Sequence, residues 1–313
     1  MKKLISVVTP TFNEAENINE LINQVRTIFD TKLANYNYEH IIIDNSSSDD
    51  TVALIKQHCS VDKRIKLIVN SRNFGHIRSP VYAMKQAKGD AVISLVADFQ
   101  DPPMLIPEFV KKWEQGDCQM VLGVKRSSAE SPLFFFVRKI YYSLVSKLSE
   151  IELIKNFTGF GLYDRCVIDA VRSIDDAYPY WRGLICEVGF SKYQYLYDQP
   201  VRTRGITKNN FYTLYDIGML GLTTHSKLPL RFCTIFGFFA SLVSLLIAFA
   251  YLFIKILHWD EMSLGIAPLV IGMFLFGSIQ LMVIGILGEY VGNIYTQILR
   301  RPLVIELERI NFE

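Results

Sequence analysis

The sequence predicts an α/β protein in which a doubly wound, mainly parallel sheet is followed by a two-helix membrane hairpin. Short β-branched runs alternate with longer amphipathic runs over the first part of the chain. Such alternation is typical of a parallel sheet covered by helices on both faces. Near the C-terminus lie two long runs without any charged residue. Each is long enough to cross a hydrocarbon core of about 30 Å as a helix.

The alternation starts at the N-terminus. The opening MKKLISVVT resembles a signal peptide in its two lysines, but its apolar stretch is too short, so we predict a first strand at Leu4–Thr9. The later segments alternate between Val- and Ile-rich strands and helices whose apolar residues recur every three or four positions. Further strands are predicted at His40–Ile43, Ile65–Val69, Ala91–Val96 and Met120–Val124. Helices are predicted at Ala15–Phe29, Asp50–His58, Arg78–Ala87 and Leu105–Gln115.

The uncharged runs extend over Phe232–Ile254 and Met262–Gly288. The connector between them is too short for a domain, so we expect a hairpin with both outer flanks on one side of the membrane. Lysine and arginine are more frequent at these flanks than in the connector, which places both termini in the cytoplasm. A buried hairpin of a soluble protein is the alternative, although soluble helices rarely stay uncharged on every face.

These changes in composition divide the chain into four parts. A cytoplasmic α/β domain is predicted at 1–208, an amphipathic helix at 209–226, the membrane region at 227–299 and a cytoplasmic tail at 300–313. Apolar and aromatic residues share a broad face in 209–226, which fits a helix lying along the membrane surface. An ordinary core helix is the alternative for this segment.

The overall composition excludes several classes of protein. The chain has 313 residues, of which half are hydrophobic, and its 33 Lys and Arg against 31 Asp and Glu give a net charge of +2. No strong positive field is present, so we expect no nucleic-acid partner. The five cysteines are scattered and form no C-x-x-C pair, which argues against a disulfide framework and a zinc site.

Polar residues follow each of the first four predicted strands, at 10–14, 44–51, 70–76 and 98–103. These segments should meet at one edge of a parallel sheet, where such folds bind ligands. There Asp98 can hold a Mg²⁺ or Mn²⁺ ion that bridges the phosphates of a nucleotide-sugar, and Asp44 can accept hydrogen bonds from a base or ribose. Each aspartate can instead be a helix cap, which we favour for Asp49 and Asp50 and consider for Asp101. No G-x-G-x-x-G or Walker motif follows the first strand, which argues against a dinucleotide enzyme or P-loop NTPase.

Four motifs carry a resemblance to a known family. PTFNE, DNSSSDDT, RNFG and ADFQDPP, in this order and spacing, resemble family 2 glycosyltransferases of the GT-A fold. The segment Arg202–Lys208 matches R-x-x-G-x-[ST]-K, and the second apolar run leads into LGEYVGNIY. With the hairpin, these features are similar to polyprenyl-phosphate glycosyltransferases, such as bactoprenol glucosyltransferases and dolichol-phosphate mannose synthases.

The resemblance implies roles for individual residues. Those implied to bind the nucleotide-sugar are Pro10, Asn13, Glu14, Asp44, Asn73 and Asp98. Asp98 and Gln100 are implied metal ligands, with Mg²⁺ or Mn²⁺ as the cofactor. Cations implied to hold the acceptor phosphate are Arg126, Arg138, Arg202 and Lys208, and the last three join Asp98 as predicted catalytic residues. For Arg126 and Arg138 a solvated or headgroup-facing charge is the alternative.

The chain departs from the family pattern at two places. Where the family usually has D-x-D, this sequence has Val96-Ala97-Asp98, so the first carboxylate is missing. Where close relatives have G-D-F-R-L, it has Thr158-Gly159-Phe160-Gly161-Leu162, so an acid is replaced by glycine. These departures support an alternative hypothesis, in which the protein is a pseudoenzyme or scaffold that binds nucleotide-sugars in an envelope-glycan pathway.

The resemblance also implies the reaction and its setting. A sugar, from a UDP-linked hexose or N-acetylhexosamine, would pass with inversion to undecaprenyl or another polyprenyl phosphate for modification of cell-envelope glycans. The protein would span the inner membrane more than once, contact lipid, and work with a downstream flippase and a second glycosyltransferase. Closely spaced glycines in the second apolar run permit tight helix packing within the hairpin or in a homo-oligomer. A processive polysaccharide synthase is disfavoured because no Q-x-x-R-W segment is present.

Overall fold

The computed structural model describes residues 2–126, 154–200, 219, 228–257 and 266–312. Its strands are β1 (Leu4–Thr11), β2 (Asn37–Asp44), β3 (Ile65–Asn70), β4 (Ala91–Ser94), β5 (Met120–Lys125), β6 (Phe157–Asp164), β7 (Lys192–Tyr197) and β8 (Glu306–Ile310). Its helices are α1 (Ala15–Thr31), α2 (Thr51–Val61), α3 (Gly75–Gln86), α4 (Ile106–Glu114), α5 (Arg165–Ser173), α6 (Trp181–Glu187), α7 (Leu228–Leu257) and α8 (Ile266–Ile298).

All eight strands form one sheet, in the order β7-β5-β6-β4-β1-β2-β3-β8. β1 pairs in parallel with both β2 and β4, β2 with β3, and β5 with β7. β6 and β8 run antiparallel to their neighbours. The prediction of an α/β fold with a mainly parallel sheet is confirmed. All nine predicted elements of the first 125 residues are present, and β4 ends two residues earlier than predicted.

Two apolar cores cover the two faces of the sheet. One contains Ile18 and Leu21 of α1 and Phe109 of α4, whereas the other contains Met84 of α3 and Val167 of α5. Successive side chains of a strand point to opposite faces of the sheet. Because a core covers each face, the central strands are buried on both sides. Their run of apolar residues is therefore continuous, as in the fully buried Ile41, Ile42 and Ile43 of β2.

The first apolar run lies within α7 and the described part of the second, from Ile266 onward, lies within α8; the two helices contact each other. Within the described residues, one helical segment, Leu275–Ile298, is long and apolar enough to cross a membrane, and Pro229–Ser244 is a shorter apolar helix. α8 does not stop where its uncharged run ends but continues through Glu289 to Ile298. Large apolar side chains on both helices face outward, such as Phe232 at 75% and Leu281 at 71% exposure.

The C-terminal residues contain an element that the sequence analysis missed. After α8 the chain returns to the sheet and forms β8, in which Ile310 pairs with Leu67 and Glu308 with Val69 of β3. Residues 306–310, within the tail predicted at 300–313, are therefore part of the same sheet as the N-terminal strands.

Candidate active site

Asp44 lies at the end of β2, opposite Thr11 in β1, and is fully buried. Its carboxylate accepts hydrogen bonds from the Ser47 amide at 2.8 Å, the Ser47 hydroxyl at 2.5 Å and the Thr11 hydroxyl at 3.2 Å. Burial raises the pKa of Asp44, and these hydrogen bonds act in the opposite direction. The group is held in one orientation at the carboxyl edge of the sheet.

The segment after β1 packs directly on the segment after β2. Asn13 adopts a left-handed backbone conformation with φ 55°, which asparagine tolerates better than most residues. Its amide donates to the Ser47 hydroxyl at 2.8 Å, and its Oδ1 accepts from the Ser48 amide at 2.8 Å. The Glu14 amide donates to Thr51 Oγ1 at 2.9 Å. The structure thus links Asn13 to Asp44 through Ser47, places Glu14 against the start of α2, and has Pro10 directly before Thr11 in β1.

A network of amide side chains joins the ends of β2 and β3. The Asn45 Oδ1 accepts from Asn70 Nδ2 at 3.1 Å and from the Phe74 amide at 2.9 Å. The Asn45 Nδ2 donates to Asn73 Oδ1 at 2.8 Å, so Asn73 also lies at this edge. The sequence analysis did not single out Asn45 or Asn70, although both stand in polar segments that follow strands.

The segment after β4 holds Asp98 and Asp101. The Asp98 Oδ1 accepts from the Gln100 amide at 3.1 Å, and Phe99 between them has a left-handed φ of 59°. Asp101 is 3% exposed and accepts a hydrogen bond from the Tyr197 hydroxyl at 2.9 Å. Burial raises the pKa of Asp101 to about 7, opposed by the Tyr197 hydrogen bond and reinforced by the charge of Asp98. Asp101 makes no helix-capping bond, so its interpretation as a cap is wrong.

Asp49 and Asp50, which precede α2, were both predicted to be helix caps, and they differ in their hydrogen bonds. Asp49 Oδ1 accepts from the Thr51 amide at 3.0 Å and Asp49 Oδ2 from the Ala15 amide at 3.2 Å. Asp50 occupies the N-cap position of α2, but its side chain forms no capping hydrogen bond. Asp49 therefore satisfies the backbone at this helix start and also joins α1 to α2.

The oxygen atoms near Asp98 suit a hard divalent cation. Among the residues that the structure describes, no three His, Cys, Asp or Glu side chains form a group that could hold a metal. Mg²⁺ needs no such group, because it is commonly held by one or two carboxylates with substrate phosphates and water completing its shell. The Asp98 carboxylate and the Gln100 amide oxygen fit this donor set.

Gly159 and Gly161 stand where close relatives have the Asp and Arg of G-D-F-R-L, and the backbone around them is fitted to glycine. Gly159 has φ +104°, and a Cβ there would lie 3.4 Å from the indole of Trp181. At Gly161 a Cβ would lie 2.6 Å from the carbonyl oxygen of Val121, which no real side chain tolerates. The backbone here is therefore adapted to the glycines of this chain and does not admit an aspartate and an arginine unchanged.

Of the four predicted acceptor cations, only Arg126 is among the residues that the structure describes. Arg126 is exposed at the end of β5 and forms an ion pair with Asp198 at 3.4 Å, a surface contact of small energetic value. Arg138, Arg202 and Lys208 lie outside the described residues, as does the predicted helix at 209–226 apart from Met219.

The edge described above carries the four motifs that suggested a family. The family model described as "Glycosyl transferase family 2" matches residues 6–171. The chain belongs to glycosyl transferase family 2. This span includes most of β1, all of β2 to β6 and every described nucleotide-site residue, so the resemblance drawn from PTFNE, DNSSSDDT, RNFG and ADFQDPP is confirmed. As a member of family 2, the protein is a glycosyltransferase.

Two relatives match this family 2 glycosyltransferase over nearly its full length. "Uncharacterized glycosyltransferase YkcC" of Bacillus subtilis (strain 168) is 33% identical over 302 residues, 96% of this chain and 92% of the relative. "Bactoprenol glucosyl transferase" of Shigella phage SfII is 32% identical over 303 residues, 96% of each protein. Both matches extend well beyond the family 2 domain into the region of α7 and α8.

A solved structure shares the fold of this family 2 domain. It is glucosyl-3-phosphoglycerate synthase from Mycobacterium tuberculosis in complex with Mn²⁺, uridine diphosphate and phosphoglyceric acid. The TM-score is 0.51 at 18% identity, over 71% of this chain and 77% of that one. At this level of identity the likeness demonstrates the GT-A-like architecture.

Proposed function

We propose that this glycosyltransferase transfers a sugar, with inversion, from a UDP-linked hexose or N-acetylhexosamine to a polyprenyl phosphate such as undecaprenyl phosphate. The observation that carries this proposal is the connection of a family 2 site to apolar helices whose C-terminal continuation, β8, belongs to the same sheet. A soluble acceptor would need no such anchor. The relatives named bactoprenol glucosyl transferase support a lipid acceptor.

The donor site in this proposal is the edge formed by the loops after β1 to β4. Asp44 and the backbone around Asn13 face the place of the base and ribose, with Pro10, Glu14 and Asn73 around them. Asp98 and Gln100 would hold a Mg²⁺ or Mn²⁺ ion. When bound, such an ion neutralises charge on a departing diphosphate. The solved neighbour with Mn²⁺ and uridine diphosphate is compatible with this arrangement.

The proposed acceptor explains why the missing carboxylate at Gly159 need not abolish activity. A phosphate monoester with a second pKa near 6 is largely dianionic at neutral pH, so it is already a nucleophile. A sugar hydroxyl would need a general base, whereas this acceptor needs mainly in-line placement against the anomeric carbon. Cations that hold the acceptor phosphate, proposed to include Arg126, Arg138, Arg202 and Lys208, supply this placement.

The proposed location is the cytoplasmic membrane, crossed by α7 and α8, with the catalytic domain and both termini in the cytoplasm. The segment 209–226 would lie on the membrane surface. The product would be consumed by reactions that move the lipid-linked sugar across the membrane and pass the sugar to an envelope glycan. A flippase and a second glycosyltransferase are the proposed partners for these steps.

The second candidate is a nucleotide-sugar-binding pseudoenzyme, which Val96 and Gly159 favour. One assay separates the two functions. The purified full chain is incubated with Mg²⁺ or Mn²⁺, polyprenyl phosphate and a panel of radiolabelled nucleotide-sugars, and label is measured in the chloroform phase. We expect lipid-linked label from one donor. Binding of a nucleotide without any lipid product would instead support the pseudoenzyme.

The same assay tests the metal ligand. Asp98→Asn keeps the shape of the side chain and removes its charge, so we expect turnover to fall at least 100-fold. Asp90→Asn is a suitable control, because Asp90 precedes β4 and its carboxylate accepts from the Leu4 amide away from the site. Unchanged turnover in Asp98→Asn would refute the assignment of the metal site.

A further inference from the structure

Two arginine side chains and one histidine side chain lie where α3 and α6 begin. They are His76 and Arg78 of α3 and Arg182 of α6. Within the described residues none of the three forms an ion pair, although most other arginines of the domain do. The Arg78 Nε is buried and has no hydrogen-bond partner in that part of the chain. These three residues are here called the α3–α6 cation patch, and no ion pair among the described residues balances its two guanidinium charges.

The arrangement of the patch is held by aromatic rings. The Arg78 guanidinium lies 5.0 Å from the ring centre of Tyr178, and the Arg182 guanidinium lies 5.1 Å from that of Tyr180. Contacts of this kind orient the planar group and leave its N–H donors available to another partner. Desolvation and the charge of Arg182 lower the pKa of His76, which favours the neutral imidazole with its single N–H donor.

The patch borders the donor site. α3 starts directly after the amide network, where the Asn45 Nδ2 donates to the Gly75 carbonyl at 3.1 Å. On the other side, Trp181 at the start of α6 lies against Gly159 and donates from its Nε1 to the Tyr163 hydroxyl at 3.1 Å. The patch is therefore adjacent to the edge at which the nucleotide-sugar is proposed to bind.

The patch also faces the end of the candidate membrane helix. Residues 174–180 run along α3, and the Ile174 carbonyl accepts from the Lys85 ammonium at 2.9 Å. In the middle of this segment, Asp176 Oδ1 accepts from Gln297 Nε2 at 2.7 Å and the Ala177 amide donates to Gln297 Oε1 at 3.2 Å. Gln297 is in the last turn of α8. Continuing along the segment, Tyr178 and Tyr180 reach the patch, which thus lies between the membrane end of α8 and the donor edge.

We propose that His76, Arg78 and Arg182 bind the phosphate monoester of a membrane-lipid acceptor as it approaches the donor sugar. This inference rests on the proposed function and adds these three residues to the acceptor cations proposed above, Arg126, Arg138, Arg202 and Lys208. A dianionic phosphate is matched by two guanidinium groups, each able to donate two parallel hydrogen bonds, and by an imidazole N–H. The lipid chain can stay in the bilayer beside α8 while the phosphate reaches the patch.

The test uses the full chain in detergent micelles with polyprenyl phosphate, and compares Arg78→Gln and Arg182→Gln with Arg64→Gln. Arg64 is a matched control because its guanidinium also lies over a tyrosine ring, at 4.6 Å from Tyr38, but far from the edge. We expect KM for polyprenyl phosphate to rise at least tenfold in the two patch variants and KM for the donor to change less than twofold. Arg78→Lys should recover part of the loss.

Several outcomes would overturn the inference. An unchanged acceptor KM in both patch variants would do so while leaving the proposed function intact, as would a rise in the donor KM alone, which would assign the patch to the donor diphosphate. Inorganic phosphate that competes as well as polyprenyl phosphate would point to a site for free phosphate. Unfolding temperatures equal to that of the unmodified chain exclude misfolding as the cause of any loss.

A direct binding measurement separates this inference from the reaction itself. If the unmodified chain forms no lipid product with any donor, the proposed function fails, and equilibrium binding of fluorescent polyprenyl phosphate decides on the patch. Binding weakened at least tenfold in Arg78→Gln and Arg182→Gln but not in Arg64→Gln would still support the patch. Equal binding by all four proteins would refute it.

Discussion

The hydrogen bond between Tyr197 and Asp101 joins β7 to the segment that carries Asp98. The two residues are 96 positions apart in the chain, and both are buried. The Tyr197 ring also packs edge-on against Phe160, next to Gly159. Because Asp98 and Gln100 belong to the same short segment as Asp101, this bond fixes the backbone from which the proposed metal ligands project.

We therefore predict that Tyr197→Phe destabilises the protein. The change removes the side-chain donor of the buried Asp101 carboxyl group, which keeps its backbone hydrogen bond with Val96, and loss of a partner at a buried group costs about 1–3 kcal/mol. The apparent free energy of unfolding in urea, followed by circular dichroism, measures the loss. Tyr195→Phe is the matched control, since Tyr195 lies on the same strand and contacts Phe109 through its ring. Equal stabilities of the two variants would contradict the prediction.

A second residue-scale prediction concerns His40, which is fully buried in β2 with its Nε2 2.9 Å from the Thr9 hydroxyl. Burial lowers the pKa of His40 to about 3, so the folded protein keeps the ring neutral where the unfolded chain protonates it. Between about pH 6.5 and pH 3 the unfolded state thus binds more protons, and stability falls as the pH falls, by up to about 1.4 kcal/mol per pH unit.

The variant His40→Asn cannot titrate in this range. We expect its unfolding temperature to drop less between pH 7 and pH 5 than that of the unmodified chain, as measured by circular dichroism at both values. His58→Asn serves as the control, because His58 on α2 is only partly buried and is hydrogen-bonded to Asn19. A drop in His40→Asn as large as in the unmodified chain would show that another group controls the acid sensitivity.

At the scale of elements, local patterns predicted the first nine helices and strands because each of these has a clear period of its own. β8 was missed for a physical reason. Its sequence ELERI is short and charged, and it becomes a strand only through pairing with the edge of β3 more than 200 residues earlier. The contact between loops 10–14 and 44–51 could be predicted, because it follows from the parallel topology of β1 and β2. The Asp101–Tyr197 contact could not, because it depends on tertiary packing that no local pattern contains.

The role of β8 leads to a prediction about the edge of the sheet. A chain that ends at Pro302 leaves the N–H and C=O groups on the β8 side of β3 unpaired, and exposed strand edges promote aggregation. It also loses the bonds from Arg309 to Gln86 and from Asn311 to the carbonyl groups of Cys59 and Ile65. We expect a lower unfolding temperature and a larger aggregated fraction in size-exclusion chromatography.

The control for this truncation is Lys56→Ala. It removes only the ion pair between Lys56 and Glu308, whose side chains are 41% and 42% exposed, so we expect a change below about 1 kcal/mol. An unfolding temperature of the truncated chain equal to that of Lys56→Ala would mean that β8 adds little to the fold.

At the scale of the whole molecule, β8 constrains how the chain can cross a membrane. The catalytic domain precedes α7, and β8, which follows α8, pairs with β3 of that same domain. Both ends of the helical region must therefore be on one side, which requires an even number of crossings. If the apolar segment Leu275–Ile298 crosses, α7 is the element available among the described residues for the other crossing.

This parity distinguishes a hairpin from a single span, and reporter fusions measure the difference. Alkaline phosphatase joined after Trp259, in the connector, should be active because it is exported, whereas the same enzyme joined after Gln115 should be inactive. Green fluorescent protein joined after Glu313 should fluoresce, because it folds in the cytoplasm.

Arg300 and Arg301 at the end of α8 favour this orientation, since cytoplasmic flanks are enriched in arginine and lysine. A fusion after Glu313 that does not fluoresce would mean an odd number of crossings, which is incompatible with β8 in the catalytic sheet. An inactive connector fusion together with a fluorescent C-terminus would mean that neither helix crosses, and that both lie on the cytoplasmic surface of the bilayer.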